Sequence, residues 1–242
     1  MATDGESISM SLAVATCVAM ALFYVLILYV PTVILRLPSA SSYTEFMIRR
    51  FICAAICTVA SLVFTAFILP IKSWEASYIL GVYGIRKDHL APVTEELVFR
   101  SCMIPLLLCA GFRINTAIFL CPVLFSLAHL NHFREMYIRH NRSYLRASLI
   151  VGLQLGYTVI FGAYASFLFI RTGHLAAPLF AHIFCNYMGL PVLYANGKGL
   201  VSAAFLGGVV GFVLLLFPLT KPLMYNDSTN DCPCWLGYCL WN

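Results

Sequence analysis

Of the 242 residues, 61% are hydrophobic and only 10% are charged, with a mean hydropathy of +0.88, whereas a soluble domain carries about 25% charged residues. Water is therefore excluded as the main solvent, and because a bilayer-spanning helix needs about 20 mostly apolar residues, the length allows seven or eight spans and almost nothing besides. The net charge of +5 rests on loop residues such as Arg49, Arg50, Arg134, Arg139, Arg142 and Arg146, which suits anionic lipid headgroups and forms no basic, aromatic patch for nucleic acid.

The expected fold is all-α: a polytopic integral membrane protein with seven or eight transmembrane helices, built as a single membrane-embedded domain over residues 1–242. In chain order, the first apolar stretch runs from about Ser11 to Leu35, behind an N-terminus that carries Asp4 and Glu6 and no basic residue. It is too long and wrongly flanked for a cleaved signal peptide. Further apolar runs fall at about 51–70, 97–111, 114–130, 147–170, 175–196 and 199–220, and at these lengths only helices satisfy their backbone in lipid. Residues 71–93, with Lys72, Glu75, Arg86, Lys87 and Asp88, are mixed in character and read as an amphipathic or re-entrant piece or an eighth irregular span.

The basic loops 36–50 and 131–146 are expected in the cytoplasm, with the N-terminus on the other side. Arg171 and His174 are expected at the membrane boundary, and residues 221–242 form a polar tail containing Cys232, Cys234 and Cys239. The other seven cysteines lie in apolar segments without metal-type spacing, where Cys acts as a small hydrophobe. Gly152, Gly156 and Gly162, and likewise Gly207, Gly208 and Gly211, recur at helical spacing and predict close helix packing.

Polar groups set against these runs are the chemical candidates. Glu95 and Glu96 open the run TEELVFRSCMIPLLLCAG, where charge is costly and commonly functional. The plain structural alternative is that Thr94 caps the helix and both carboxylates sit at its positive end in water. Helix geometry separates the two: Glu96 and Arg100 are four apart and can pair on one face, while Glu95 lies about 100° away and stays available.

His129 ends the next run, in FSLAHLNHF. The hairpin turn near Phe112 is equidistant in sequence from Glu95 and His129, so antiparallel helices bring both to the same depth. His182 and Asn186, in LFAHIFCNYMG, share one helical face four residues apart. They fit either an interhelical hydrogen-bonded pair or two donors aimed at a developing oxyanion. One count fits poorly: His182 lies only about 13 Å along its helix from the turn near Gly173, whereas Glu95 lies about 25 Å from its own turn. A tilted or broken helix, starting after Pro178, would be needed to align them.

No serine sits in a GxSxG setting and no HExxH is present, which removes the familiar serine hydrolase and zincin readings. A metallopeptidase built on the two histidines, the glutamate and Asn186 is disfavoured because Asn is a poor zinc ligand. A non-enzymatic scaffold or transporter, using the same polar groups as helix glue, stays open on these residues alone.

APVTEELVFR with EExxxR, FSLAH with FxxxH and HIFCN with HxxxN resemble, in order and separation, the three motifs of type II CAAX prenyl endopeptidases, the Ras-converting enzymes. The phrase FGAYASFLFIRTGHLAAPLFAHIFCNYMG, residues 161–189, is similar to eukaryotic members, and the similarity runs over a catalytic core of about 90–191. The resemblance implies a multi-pass endoplasmic-reticulum peptidase that removes the last three residues from prenylated CaaX proteins, with Ras-type small GTPases as substrates. It further implies Glu95 as the base activating water with help from His129, His182 and Asn186 as oxyanion donors, and Glu96 with Arg100 as a supporting ion pair. No metal and no cofactor is implied.

Overall fold

The computed structural model describes residues 8–38, 40, 42–69, 90–130, 133, 137, 143–189, 199–221 and 224–225. Within them the regular structure is helical throughout. Seven helical stretches match the seven apolar runs, whereas 71–89, most of the stretch read as an amphipathic or re-entrant piece or an eighth irregular span, lies outside the described residues, as does the cysteine-containing tail. Helix α1 (Met10–Ile27) is capped by Ser9, whose hydroxyl accepts the amide of Leu12. It ends where Pro31, four residues beyond Ile27, cannot donate to that carbonyl, and the chain continues as a π-helical turn over Val30–Ile34. Helix α2 (Tyr43–Ile68) starts on Ser42, which accepts the amide of Glu45, and Glu45 pairs with Arg49 one turn on.

The next helix is interrupted. α3 (Leu90–Glu96) passes into a π-helical segment (Leu97–Cys102) and then into α4 (Met103–Cys109). Pro105 has no amide to offer the carbonyl of Ser101, and the widened π turn takes up that missing bond. Gly111, at φ +85°, turns the chain into α5 (Ile114–Ala128), which carries Pro122 in its interior. Then follow α6 (Tyr144–Thr172), closed by Gly173 in the left-handed conformation, α7 (Ala176–Met188) and α8 (Gly199–Leu219). Thus α7 begins before Pro178, which sits in its first turn where the lack of an amide costs nothing.

Among the described residues, α1, α2, α6 and α8 contain the four segments long and apolar enough to cross a membrane: Met10–Ile27, Thr44–Ile68, Tyr144–Thr172 and Val201–Leu219. The protein is an all-α membrane protein. Lipid is as apolar as leucine, so helices associate through close contact and polar pairing and not through escape from water. α2 accordingly buries small residues, Cys53, Ala54, Cys57, Thr58, Ser61 and Thr65, and α1 buries Ala13, Cys17 and Ala21. The seven described cysteines are all free thiols, as their setting in apolar segments predicts.

The most extensive helix pair is α5 against α6, with α7 against α6 and α3. Among the described residues, only Gly162 of the spaced glycines meets a close neighbour, and Gly152, Gly156, Gly207, Gly208 and Gly211 have none within 4 Å, so the expected close packing is not made there by the described helices. Arg171, at the end of α6, is 7% exposed and packed inside the protein. It donates to the Phe217 carbonyl at 3.3 Å and to the Thr220 hydroxyl at 3.5 Å and lies against the Phe167 and Phe217 rings. A guanidinium in such surroundings needs these partners, and it holds the otherwise lipid-exposed α8 to α6.

Candidate active site

The break in the α3–α4 helix sets the site. Glu95 and Glu96 lie at the end of α3, immediately before the π-helical turn. Leu90 is already helical, so Thr94 is not the cap and the two carboxylates are not at the positive end; the capping alternative is thereby removed. Thr94 is buried, with its hydroxyl 3.4 Å from the Tyr24 hydroxyl of α1.

Glu96 and Arg100 form the expected pair, at 3.0 Å, with side chains 0% and 1% exposed. The guanidinium also stacks over the Phe125 ring, 5.0 Å from its centroid. The same Oε1 of Glu96 accepts a second bond, from Nδ1–H of His182 at 2.7 Å. That contact was not read from the sequence, which assigned Glu96 to Arg100 alone. It gives Glu96 two cationic or donor partners, which a buried carboxylate needs to stay charged in a low dielectric.

With Nδ1 held by Glu96, the opposite ring nitrogen is directed at Glu95: His182 Nε2 lies 3.6 Å from Glu95 Oε2. Glu95 has a 27% exposed side chain while His182 is 8% exposed, so the pair has one open side and one packed side. Asn186, one turn beyond His182 on α7, is exposed. The depth mismatch between His182 and Glu95 is thus bridged without a break in α7.

His129 stands at the C-terminal cap of α5, half-buried. Its Nδ1–H donates to the Phe125 carbonyl at 3.0 Å, which makes Nε2 the acceptor nitrogen of the ring. Phe125 ties the groups together: its ring lies 4.8 Å from that of His129, 6.4 Å from that of His182 and 4.8 Å from that of Phe99. Phe161 of α6 closes the other flank of His182 at 5.5 Å. Both phenylalanines were missed as site residues, although Phe125 is one helical turn from His129 in the FxxxH spacing, and that was the available signal.

Two carboxylates and an imidazole from separate helices, with a second imidazole one aromatic ring away, form an acid–base cluster in an apolar surround. Its motifs agree with what comparison gives. The profile of the type II CAAX prenyl endopeptidases, Rce1-like, matches residues 80–188. A CAAX prenyl protease 2 of Arabidopsis thaliana is 78% identical over 311 aligned positions covering all of both chains. The chain belongs to the type II CAAX prenyl endopeptidase family.

Because that alignment is longer than the 242 residues here, the plant protease has residues opposite which this chain has none. The human CAAX prenyl protease 2 is 42% identical over 165 residues, which cover 66% of this chain and 49% of the relative; the Saccharomyces cerevisiae one is 32% identical over 117 residues. No solved structure matches. The profile window contains the whole cluster, from Glu95 to Asn186, so the chemistry of this CAAX prenyl endopeptidase is sought there.

Proposed function

We propose that the chain hydrolyses the peptide bond after the prenylcysteine of CaaX proteins, releasing the aaX tripeptide, at the site formed by Glu95, His129, His182 and Asn186. The observation that carries this reading is the placement of His182, with Nδ1 tied to Glu96 at 2.7 Å and Nε2 turned to Glu95 at 3.6 Å. An imidazole held in one orientation by a buried carboxylate is a catalytic arrangement more than a packing one.

In the reaction, the Glu95 carboxylate takes a proton from a water molecule that also donates to Nε2 of His129, and the water oxygen attacks the prenylcysteine carbonyl carbon. The carbonyl oxygen becomes an oxyanion that accepts bonds from the His182 Nε2–H and from the Asn186 amide. Collapse breaks the C–N bond, and the leaving amine takes the proton from Glu95. The carboxylic acid so formed gives up its remaining proton to the released amine, and the products are a prenylcysteine carboxylate and a free tripeptide with a charged amino terminus. Glu96 and Arg100 contribute orientation, since neither needs to touch substrate.

An isoprenoid attached to the substrate is lipid-soluble, and a membrane-embedded site with one open side receives it from the bilayer and not from water. Ras-type small GTPases carry such tails and are the proposed substrates, with the endoplasmic reticulum membrane as the location. The test is tripeptide release from a farnesylated CaaX peptide by the purified chain in detergent. His182→Ala and Asn186→Ala are each expected to lower kcat by about 10² to 10³ with much smaller changes in KM, the cost typical of a lost oxyanion donor. An Asn186→Ala variant with unchanged kcat would remove that residue from the mechanism.

A further inference from the structure

We infer that Gly162 is a positioning residue of this site, acting through Arg100. The inference rests on the proposed reading of the site and deepens it. A Cβ built on Gly162 would stand 2.8 Å from Pro122 Cβ, 3.2 Å from Pro122 Cγ and 3.3 Å from Arg100 Nη2. The first distance is shorter than real side chains adopt, and the atom it meets belongs to a rigid ring on the facing helix.

Arg100 cannot step aside freely. Its guanidinium is 1% exposed, paired with Glu96 at 3.0 Å and stacked on Phe125, and Glu96 in turn holds His182. The next residue of α6 on the N-terminal side, Phe161, packs against the His182 ring itself. One short stretch of α6 thus touches both ends of the chain Arg100, Glu96, His182: Phe161 touches the imidazole, and the missing side chain of Gly162 leaves room for the guanidinium. A methyl group at 162 pushes the guanidinium along this chain, and His182 turns with Glu96. Gly152 and Gly156 on the same helix have no atom within 4 Å of such a methyl, so the effect belongs to position 162 and not to glycine in α6 generally.

The test is a double-mutant cycle on tripeptide release, with melting in detergent measured alongside. Gly162→Ala is expected to lower kcat roughly ten- to a hundredfold, the scale of a misplacement of about 1 Å transmitted to a reacting group, while KM stays within about twofold. Gly152→Ala and Gly156→Ala serve as controls and are expected to match the wild type. Pro122→Gly added to Gly162→Ala removes both ring carbons that the new methyl meets but not the contact with Arg100; it is expected to restore melting and leave kcat low. Arg100→Lys, which carries a smaller head group, is expected to cost less in the Gly162→Ala background than alone, a coupling that independent sites do not show.

Recovery of kcat together with melting in the Pro122→Gly double variant, or additive effects of Gly162→Ala and Arg100→Lys, would overturn the inference and reduce Gly162 to helix packing. Glu95→Gln separates the two levels. If that variant stays active the site reading fails. If it is dead while Gly162→Ala turns over normally, only the role of Gly162 fails.

Discussion

Glu95→Gln is expected to lower kcat for a farnesylated CaaX peptide by about 10² to 10⁴, the range for loss of a positioned general base, with melting little changed. The substitution keeps the shape of the side chain and removes only its basicity. The side chain is 27% exposed and meets His182 at 3.6 Å, so no tightly packed partner is stranded. By contrast Glu96, its neighbour in sequence, is 0% exposed and holds both Arg100 and His182. Adjacent carboxylates therefore differ in kind: one faces the open side of the site and the other is enclosed. Kinetics with purified variants, read beside a melting curve in the same detergent, checks the claim. Full activity of Glu95→Gln would dismiss Glu95 as the base.

Arg100→Ala is expected to cost about 3–5 kcal/mol of stability and to abolish turnover. Removing one member of a buried pair leaves its partner charged and uncompensated, and here that partner also orients the imidazole. The loss of the guanidinium from the Phe125 ring adds to the effect. The double variant Glu96→Gln with Arg100→Met is expected to regain much of the stability, since replacing a buried pair by neutral groups is often neutral or better. Equilibrium unfolding in mixed micelles measures both. An Arg100→Ala protein that unfolds like the wild type would mean that the pair is not what holds these helices.

The helices were legible because the membrane imposes them: seven apolar runs became seven helical stretches, with ends marked by Ser42, Pro31, Gly111 and Gly173. The Glu96–Arg100 pair followed from spacing four on a helix, and the shared face of His182 and Asn186 from the same period. What could not be read is how α7 meets α3. Counting along ideal helices set His182 too shallow, because such a count holds only where neighbouring helices share a tilt and their turns share a level, which no local pattern encodes; the π-helical turn at Leu97–Cys102 was hinted at by Pro105 alone.

The partners of Arg171 were likewise not legible: a carbonyl and a hydroxyl at the end of α8, far along the chain, satisfy it within the protein. The glycine spacing promised more close packing than exists, since spacing marks a small face and says nothing of whether a neighbour occupies it.

The central claim, that Glu95 activates water and does not itself attack, is tested most directly by a single turnover in ¹⁸O-labelled water with excess purified protein, a farnesylated CaaX peptide and a chelator present. The account predicts one labelled oxygen in the new prenylcysteine carboxylate and none in the Glu95 side chain. No tripeptide release, or label recovered in the Glu95 carboxylate, would contradict it.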